Sequence, residues 1–177
     1  MIVERLNRAG GATVDIDYVK GHTRVDGDDD NAALQRMADA AALEAEDLAQ
    51  IALLSQTVRV TLDSWPRGHS FRLPIGPLLD WSTVEVTADG EAFEGFSVMT
   101  GQRPQVRLSG SRPCGQIVIE YVAGYGEAPQ DIPEDLVLAI MDQAAAYYDA
   151  RGPGDPKRQA QSPHFARIIG RYRGVRI

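Results

Sequence analysis

A long and almost wholly apolar helix in the second half of the chain constrains the fold more than any other feature. Residues 136–148 are apolar on more than one face, so this helix must be covered from several sides. Pro133 suits its first turn, the two acidic residues that follow favour the positive end of its dipole, and Asp131 is the expected N-cap. The alternating residues 116–122 predict a strand just before it, joined through a glycine turn. We therefore place this helix at the centre of the fold.

A second helix is predicted over residues 31–50, after a loose arm over 1–12 and a short helix that Thr13 or Asp15 would cap. Its apolar positions recur every three or four residues and are mostly alanine, which lets another helix approach closely, in the same subunit or in a neighbour. We take four of these positions as candidate contacts between subunits: Leu34, Met37, Ala41 and Ala45. The opposite face, which includes Glu46, is expected to be solvated.

The middle of the chain changes to a period of two. Residues 57–62 alternate, and short apolar runs separated by glycine and proline turns follow, which predicts an antiparallel sheet of five or six strands. The predicted fold class is α+β, a helical bundle of about four helices with an inserted small antiparallel β-sheet domain and a basic C-terminal arm. The predicted segments are an N-terminal arm (1–12), a helical part (13–54), the β insertion (55–122), the central helix completing the helical part (123–150), and a linker with a basic C-terminal helix or arm (151–177).

Charge is distributed unevenly along the chain. Residues 151–177 contain seven basic residues and one acidic residue, a net charge of +6, so the first 150 residues carry −13 of the total of −7. An acidic body with a basic tail indicates that the tail has its own partner, although a solvated terminus can also gather arginines. Because the acidic body repels phosphates, only this arm could bind nucleic acid, and it would pair equally well with an acidic groove of a protein.

Four aspartates in the segment from Asp26 to Asn31 suggest a calcium loop at first sight. The spacing fails, because Asn31 stands where the loop needs glycine and Met37 where it needs a bidentate glutamate. We predict instead that these acidic residues cap the next helix and face its dipole.

No catalytic set is visible in the sequence. The histidines His22, His69 and His164 lie in different segments, Cys114 is the only cysteine, and no phosphate-binding loop is present. We therefore expect no enzyme activity, no cofactor and no metal. We also expect no membrane span and no signal peptide, since apolar runs of the required length are missing, and the lone cysteine fits assembly in a reducing cytoplasm.

Several pieces of the sequence, taken in order, form one combination. They are His22-Thr23-Arg24-Val25-Asp26 with its acid cluster and alanine-rich helix, the strand Gln56-Thr57-Val58-Arg59-Val60-Thr61-Leu62, a Leu73-Pro74 turn before Pro77-Leu78, the stretch Tyr121-Val122-Ala123-Gly124-Tyr125-Gly126, and the Pro133 helix that ends in Tyr147-Tyr148. In this combination, over roughly residues 13–150, the chain resembles the head–tail connector (adaptor) proteins of long-tailed phages and of phage-derived gene transfer agents.

The resemblance implies a structural protein that forms a ring of twelve copies beneath the portal, links capsid to tail and lines the DNA exit channel without recognising sequence. It implies as partners the protein itself, the portal protein and a tail-side stopper or terminator protein, with assembly in the bacterial cytoplasm and a final place in the virion or gene transfer agent particle. The basic arm would supply the portal-binding residues: Arg167, Ile168, Arg171, Tyr172, Arg173 and Arg176. The alternative hypotheses are a nucleic-acid-binding accessory protein acting through this arm, and a small metal protein or enzyme centred on the acid cluster.

Overall fold

The computed structural model describes residues 1–7, 11–151 and 161–174, and within these ranges it forms four helices and two antiparallel sheets. This confirms the predicted α+β class with four helices. The chain divides into two compact units. The β unit comprises Met1–Ala9 and Leu54–Glu127, and the helical unit comprises Gly10–Leu53 and Ala128–Ile177. In the described ranges, no helix is both long enough and apolar enough to cross a membrane.

The β unit contains eight strands in the described residues. They are β1 (Ile2–Leu6), β2 (Gln56–Leu62), β3 (Ser70–Arg72), β4 (Glu85–Ala88), β5 (Glu91–Ala92), β6 (Phe96–Met99), β7 (Gln105–Leu108) and β8 (Ile117–Ala123). One sheet has the order β1-β2-β8-β4-β5 and the other β3-β7-β6. Alternate residues of β2 and β8 are buried, so the period of two in the sequence marks the core face of the larger sheet.

The first strand corrects the prediction of a loose arm over residues 1–12. β1 lies antiparallel to β2, in a register that pairs Ile2 with Thr61 and Leu6 with Thr57. β-branched and aliphatic residues at the start of the chain favour an extended conformation, and the edge of β2 offers backbone groups that need partners. Residues 8–10 of this segment lie outside the described residues.

The turn after β8 requires glycine. Gly124 has φ +141°, and a Cβ atom there would lie 2.6 Å from the backbone nitrogen of Ser55 and 2.7 Å from the carbonyl carbon of Leu54. Three residues earlier, in β8, the buried Tyr121 hydroxyl donates to the carbonyl oxygen of Ile75 and accepts from the Ile75 N–H. Burial raises the pKa of Tyr121, so the hydroxyl stays protonated and can fill both roles. The Tyr121–Gly126 stretch is therefore explained by packing within the β unit.

The helical unit consists of α1 (Ile16–Thr23), α2 (Asn31–Ala49), α3 (Glu134–Asp149) and α4 (Pro163–Tyr172) in the described residues. α3 packs against the other three helices, which explains why its sequence is apolar on several faces. Its residues Leu136, Ile140 and Ala144 are fully buried. The helix predicted to be central is thus the centre of this unit.

Two predicted N-caps have different outcomes. Asp15 caps α1, accepting from the backbone nitrogen of Asp17 at 2.9 Å. Asp131 does not cap α3. It closes the preceding short 3-10 turn instead, accepting from the backbone nitrogen of Ala128 at 3.0 Å, and α3 begins after Pro133 without a side-chain cap. Pro133 has a fixed φ and no N–H group that needs a partner, so α3 can begin here without a side-chain cap.

The prediction that Glu46 lies on a solvated face is wrong. Its side chain is 2% exposed and accepts a hydrogen bond from the backbone nitrogen of Leu53 at 2.8 Å. The chain reverses at Gln50, which adopts a left-handed conformation. In the buried segment that follows, the N–H groups of Ile51 and Leu53 donate back to Glu46 near the end of α2. The hydrogen bond from the Leu53 N–H therefore determines the position of this carboxylate. Such a contact leaves no trace in the periodicity of the sequence.

Candidate assembly surface on the helical unit

The basic C-terminal helix packs on the helical unit through one apolar stripe. Phe165, Ile168 and Ile169 follow the i, i+3, i+4 spacing of a single helix face, and all three are buried. α4 contacts α3 and α2. The described part of the predicted arm is therefore a fourth helix of the unit.

Polar contacts attach both ends of α4 to α3. Next to its first residue, the backbone nitrogen of Ser162 donates to the buried side chain of Gln143 at 2.8 Å. At its last turn, Arg171 and the Tyr172 hydroxyl both bond to Asp135, each at 2.7 Å. The start of α4 thus meets the later part of α3 and its end meets the beginning of α3, so the two helices are antiparallel.

A second carboxylate joins three helices. Asp142 on α3 bonds to Nε2 of His22 on α1, at 2.7 Å, and also to Nδ1 of His164 on α4. Sequence reasoning treated these histidines as unrelated because they are 142 positions apart. Their shared partner explains both of them as packing residues of the helical unit, while His69 lies in the β unit.

The predicted portal-binding residues fall into two groups. Ile168 is 2% exposed, and Arg171 and Tyr172 are engaged with Asp135, so these three residues attach α4 to its own chain. Arg167 and Arg173 are exposed, and neither side chain makes an ion pair or hydrogen bond within the described residues. Arg176 lies outside the described residues. Arg167 is therefore exposed on the outward face of α4, and Arg173 is exposed directly after the end of this helix.

The predicted subunit-contact stripe on α2 is largely internal. Leu34, Ala41 and Ala45 are 0% exposed and belong to the core of the helical unit, and Met37 is half-buried. Small side chains do allow close approach of a helix, as predicted, but the helices that approach belong to the same chain. This corrects the assignment of these three residues to a contact between copies.

The acid cluster links α1, α2 and α3. Asp28 accepts from Lys20, and this hydrogen bond, with a weaker one from Asn31, lowers the pKa of Asp28. Asp30 stands at the N-cap position of α2 but makes no capping hydrogen bond with its side chain. Its carboxylate instead accepts from Tyr148, at 2.5 Å, and from Arg151.

These contacts correct the prediction that the acid cluster caps α2 through its side chains. Hydrogen bonds from Tyr148 and then Arg151 lower the pKa of Asp30, and the same bond to Asp30 raises the pKa of Tyr148. The guanidinium of Arg151 also lies 3.5 Å above the centre of the Tyr148 ring. In the described ranges, no group of three or more histidine, cysteine, aspartate or glutamate side chains could hold a metal ion.

No protein-family model and no curated protein matches the sequence. Solved structures do match, and each of the following covers 100% of this chain and 97% of the other chain. A chain in the neck of an empty gene transfer agent (GTA) particle, computed with C6 symmetry, matches with a TM-score of 0.80 and 26% identity. A chain in the virion of a native GTA particle matches with 0.81 and 25%, and one in the neck of a native GTA particle, computed with C12 symmetry, with 0.80 and 25%. Over its whole length the chain is thus similar to components of gene transfer agent particles, which confirms its resemblance to the head–tail connectors of phage-like particles.

Proposed function

We propose that this protein is a structural head–tail connector that forms a closed ring in the neck of a gene transfer agent particle, joins the capsid side to the tail side and catalyses nothing. The observation that carries this proposal is the full-length similarity to chains in GTA particles, two of them in necks computed with C6 and C12 symmetry. We propose twelve copies per ring, which matches the neck computed with C12 symmetry. We further propose that assembly takes place in the bacterial cytoplasm.

A ring of identical chains needs two different surfaces on each copy, because only head-to-tail contacts close a cycle of more than two members. The channel inside such a ring would carry DNA. The first 150 residues have a net charge of −13, and a wall of net negative charge lets DNA slide because it repels the phosphates on balance. This charge supports a role as channel lining without recognition of sequence.

We propose the outward face of α4 as the contact with the portal protein. Arg167 is exposed on α4 and Arg173 is exposed directly after its last residue, and arginine is the residue best suited to bidentate pairing with carboxylates. Arg176 continues the basic segment beyond the described residues. A tail-side stopper or terminator protein would occupy the other side of the ring.

Co-expression with a portal protein of a gene transfer agent particle tests the proposal. Mass photometry and electron microscopy should then show rings, with twelve copies of the 19.3 kDa chain giving ~230 kDa for the ring itself. Chains that remain monomeric and never migrate with the portal protein would refute it.

The alternative of a nucleic-acid-binding accessory protein rests on the arginines of the C-terminal segment. It predicts salt-sensitive DNA binding that disappears when residues 151–177 are deleted. Absence of a DNA mobility shift at low salt would remove this alternative.

A further inference from the structure

Charge is divided between the two sheets of the β unit. Residues 64–79 and 93–113, which supply the smaller sheet β3-β7-β6, contain five arginines and one glutamate, a net charge of +4. The other described residues of the β unit, which supply the larger sheet, contain eight acidic and two basic residues, a net charge of −6. The smaller sheet is thus basic, although the first 150 residues as a whole are strongly acidic.

The outer face of the larger sheet carries a row of charged residues across four strands. The register sets Glu4 of β1 beside Arg59 of β2, then Glu120 of β8, then Glu85 of β4. The residues that alternate with this row in β2 and β8 are buried on the other face. Arg59 makes an ion pair with Glu120 at 2.6 Å, whereas Glu4 and Glu85 are exposed and have no ion-pair partner in the described ranges. The row therefore has an excess of two negative charges.

Two carboxylates of this row are direct cross-strand neighbours. Glu85 pairs with Glu120 in the register of β4 and β8, and like charges placed directly opposite each other destabilise a sheet. The nearby Arg59 guanidinium bonds to Glu120. A positive charge from outside the chain would relieve the remaining repulsion, so this face is suited to a basic partner.

The outer face of the smaller sheet offers such a charge. Arg107 lies on the middle strand β7, between Ser70 of β3 and Ser97 of β6. Val106 and Leu108, which alternate with it, are buried. Arg107 itself is exposed, and within the part of the chain that the structure describes its guanidinium has no ion pair or hydrogen bond. Because its two cross-strand neighbours are small, a carboxylate of another molecule can reach it.

The two outer faces lie on different sides of the β unit. Tyr121, on the buried face of β8, bonds through its hydroxyl to Ile75, three residues after the end of β3. The buried faces of the two sheets therefore turn towards a shared core, and the outer faces point away from it. Neighbouring copies in a twelvefold ring differ by a rotation of ~30°, so a ring needs two unlike surfaces on different sides of each copy.

We propose that the outer face of the smaller sheet binds the outer face of the larger sheet of the adjacent copy, with Arg107 of one copy between Glu85 and Glu120 of the next. The proposal rests on the proposed ring and specifies which surfaces form it. The contact is head-to-tail, so it repeats from copy to copy around the ring. It also covers Arg107, whose guanidinium would otherwise attract DNA phosphates in the channel.

Charge reversal tests this contact in the full-length chain. Glu85→Arg and Arg107→Glu each oppose like charges at every contact, so each should raise the chain concentration needed for ring assembly on the portal protein at least about tenfold, measured by mass photometry. A chain with both substitutions has the opposite charges exchanged and should assemble nearly as well as the unchanged chain. Glu91→Arg and Arg112→Glu are the matched controls, at exposed residues of the β unit outside the two faces, and should leave assembly unaltered.

The stability of the unassembled chain provides a second measurement. Glu85→Arg replaces a like-charge pair with an opposite-charge pair in the isolated sheet. The melting temperature, followed by tryptophan fluorescence, should therefore stay the same or rise while ring assembly weakens. A lowered melting temperature would show that Glu85 supports its own sheet, and it would overturn the contact.

The remaining outcomes separate this contact from the ring itself. Rings that tolerate both single reversals, or a double variant that assembles no better than the single ones, would overturn the contact and leave the connector function standing. Rings of Arg107→Glu that assemble normally but no longer retain DNA at low salt would overturn it in favour of a nucleic-acid contact. Unchanged chains that never form rings, although circular dichroism shows them folded, would overturn both proposals.

Discussion

Removing one hydroxyl group from Tyr121 tests whether the β unit depends on the contact between β8 and Ile75. The hydroxyl donates to the Ile75 carbonyl oxygen at 3.0 Å and accepts from the Ile75 nitrogen at 3.1 Å, and both residues are buried. The substitution Tyr121→Phe removes both hydrogen bonds and leaves a buried N–H and C=O without these partners. Since a buried group that loses its partner costs about 1–3 kcal/mol, we expect a loss of roughly 2–4 kcal/mol in the free energy of unfolding.

The measurement is urea unfolding followed by tryptophan fluorescence. Both tryptophans of the chain, Trp65 and Trp81, lie in the β unit, so the signal reports this unit. Tyr125→Phe is a matched control. The Tyr125 hydroxyl also bonds to the side chain of Gln102, at 3.0 and 3.1 Å, but at an exposed site where water can replace these bonds. We expect the control to lose less than about 1 kcal/mol.

Equal losses for the two variants would refute this reasoning. So would a loss below about 1 kcal/mol for Tyr121→Phe, because it would mean that the Ile75 groups find other partners without the hydroxyl. If the urea concentration at the midpoint of unfolding shifts while the slope of the unfolding free energy against urea concentration stays constant, the stability itself has changed.

Three further changes follow from single contacts. Gly124→Ala should lower the melting temperature of the β unit strongly, because the new Cβ atom meets backbone at 2.6 Å and φ is +141°; an unchanged melting temperature would contradict this. Asp30 has its pKa lowered below 3.8 by Tyr148 and Arg151, so its contribution to stability is present above that pH and disappears as the pH falls through the lowered value. Asp30→Asn should therefore flatten the acid limb of helical-unit stability, measured by circular dichroism melts, and an unaltered acid limb would exclude this role. Replacing both Arg167 and Arg173 with glutamate should abolish docking to the portal protein and leave the melting curve unchanged, whereas the same change at the exposed Arg67 and Arg112 of the β unit should leave docking intact.

The elements with strong periodicity could be predicted from the sequence. β2 and β8 alternate over seven residues each, and α2 and α3 show apolar spacing of three and four over several turns. These patterns are local, so a single sequence contains them. β1 could not be predicted in this way, because its partner β2 lies more than fifty residues away and only the pairing makes the first residues a strand.

The candidate site was harder to predict than the fold. Periodicity identified the apolar stripe of α2 and its small residues, but it could not say whether the covering helix belongs to the same chain or to a neighbour. The burial of Leu34 and Ala41 decides that question for the inner face. Leu43, on the outer side of α2, is exposed, whereas Glu46, which was expected on a solvated face, is buried.

The position of α4 also changes how its arginines would act. The sequence predicted a basic C-terminal helix or arm, and residues 163–172 form a helix held by Phe165, Ile168 and Asp135. A preformed helix loses little conformational entropy when it binds, so two exposed arginines can contribute more to affinity than the same residues on a flexible segment. The ion pair between Arg171 and Asp135 is part of this arrangement, because it fixes the end of the helix that carries Arg167 and that Arg173 follows. Weakening that pair should therefore reduce portal binding even though Arg171 itself faces the chain.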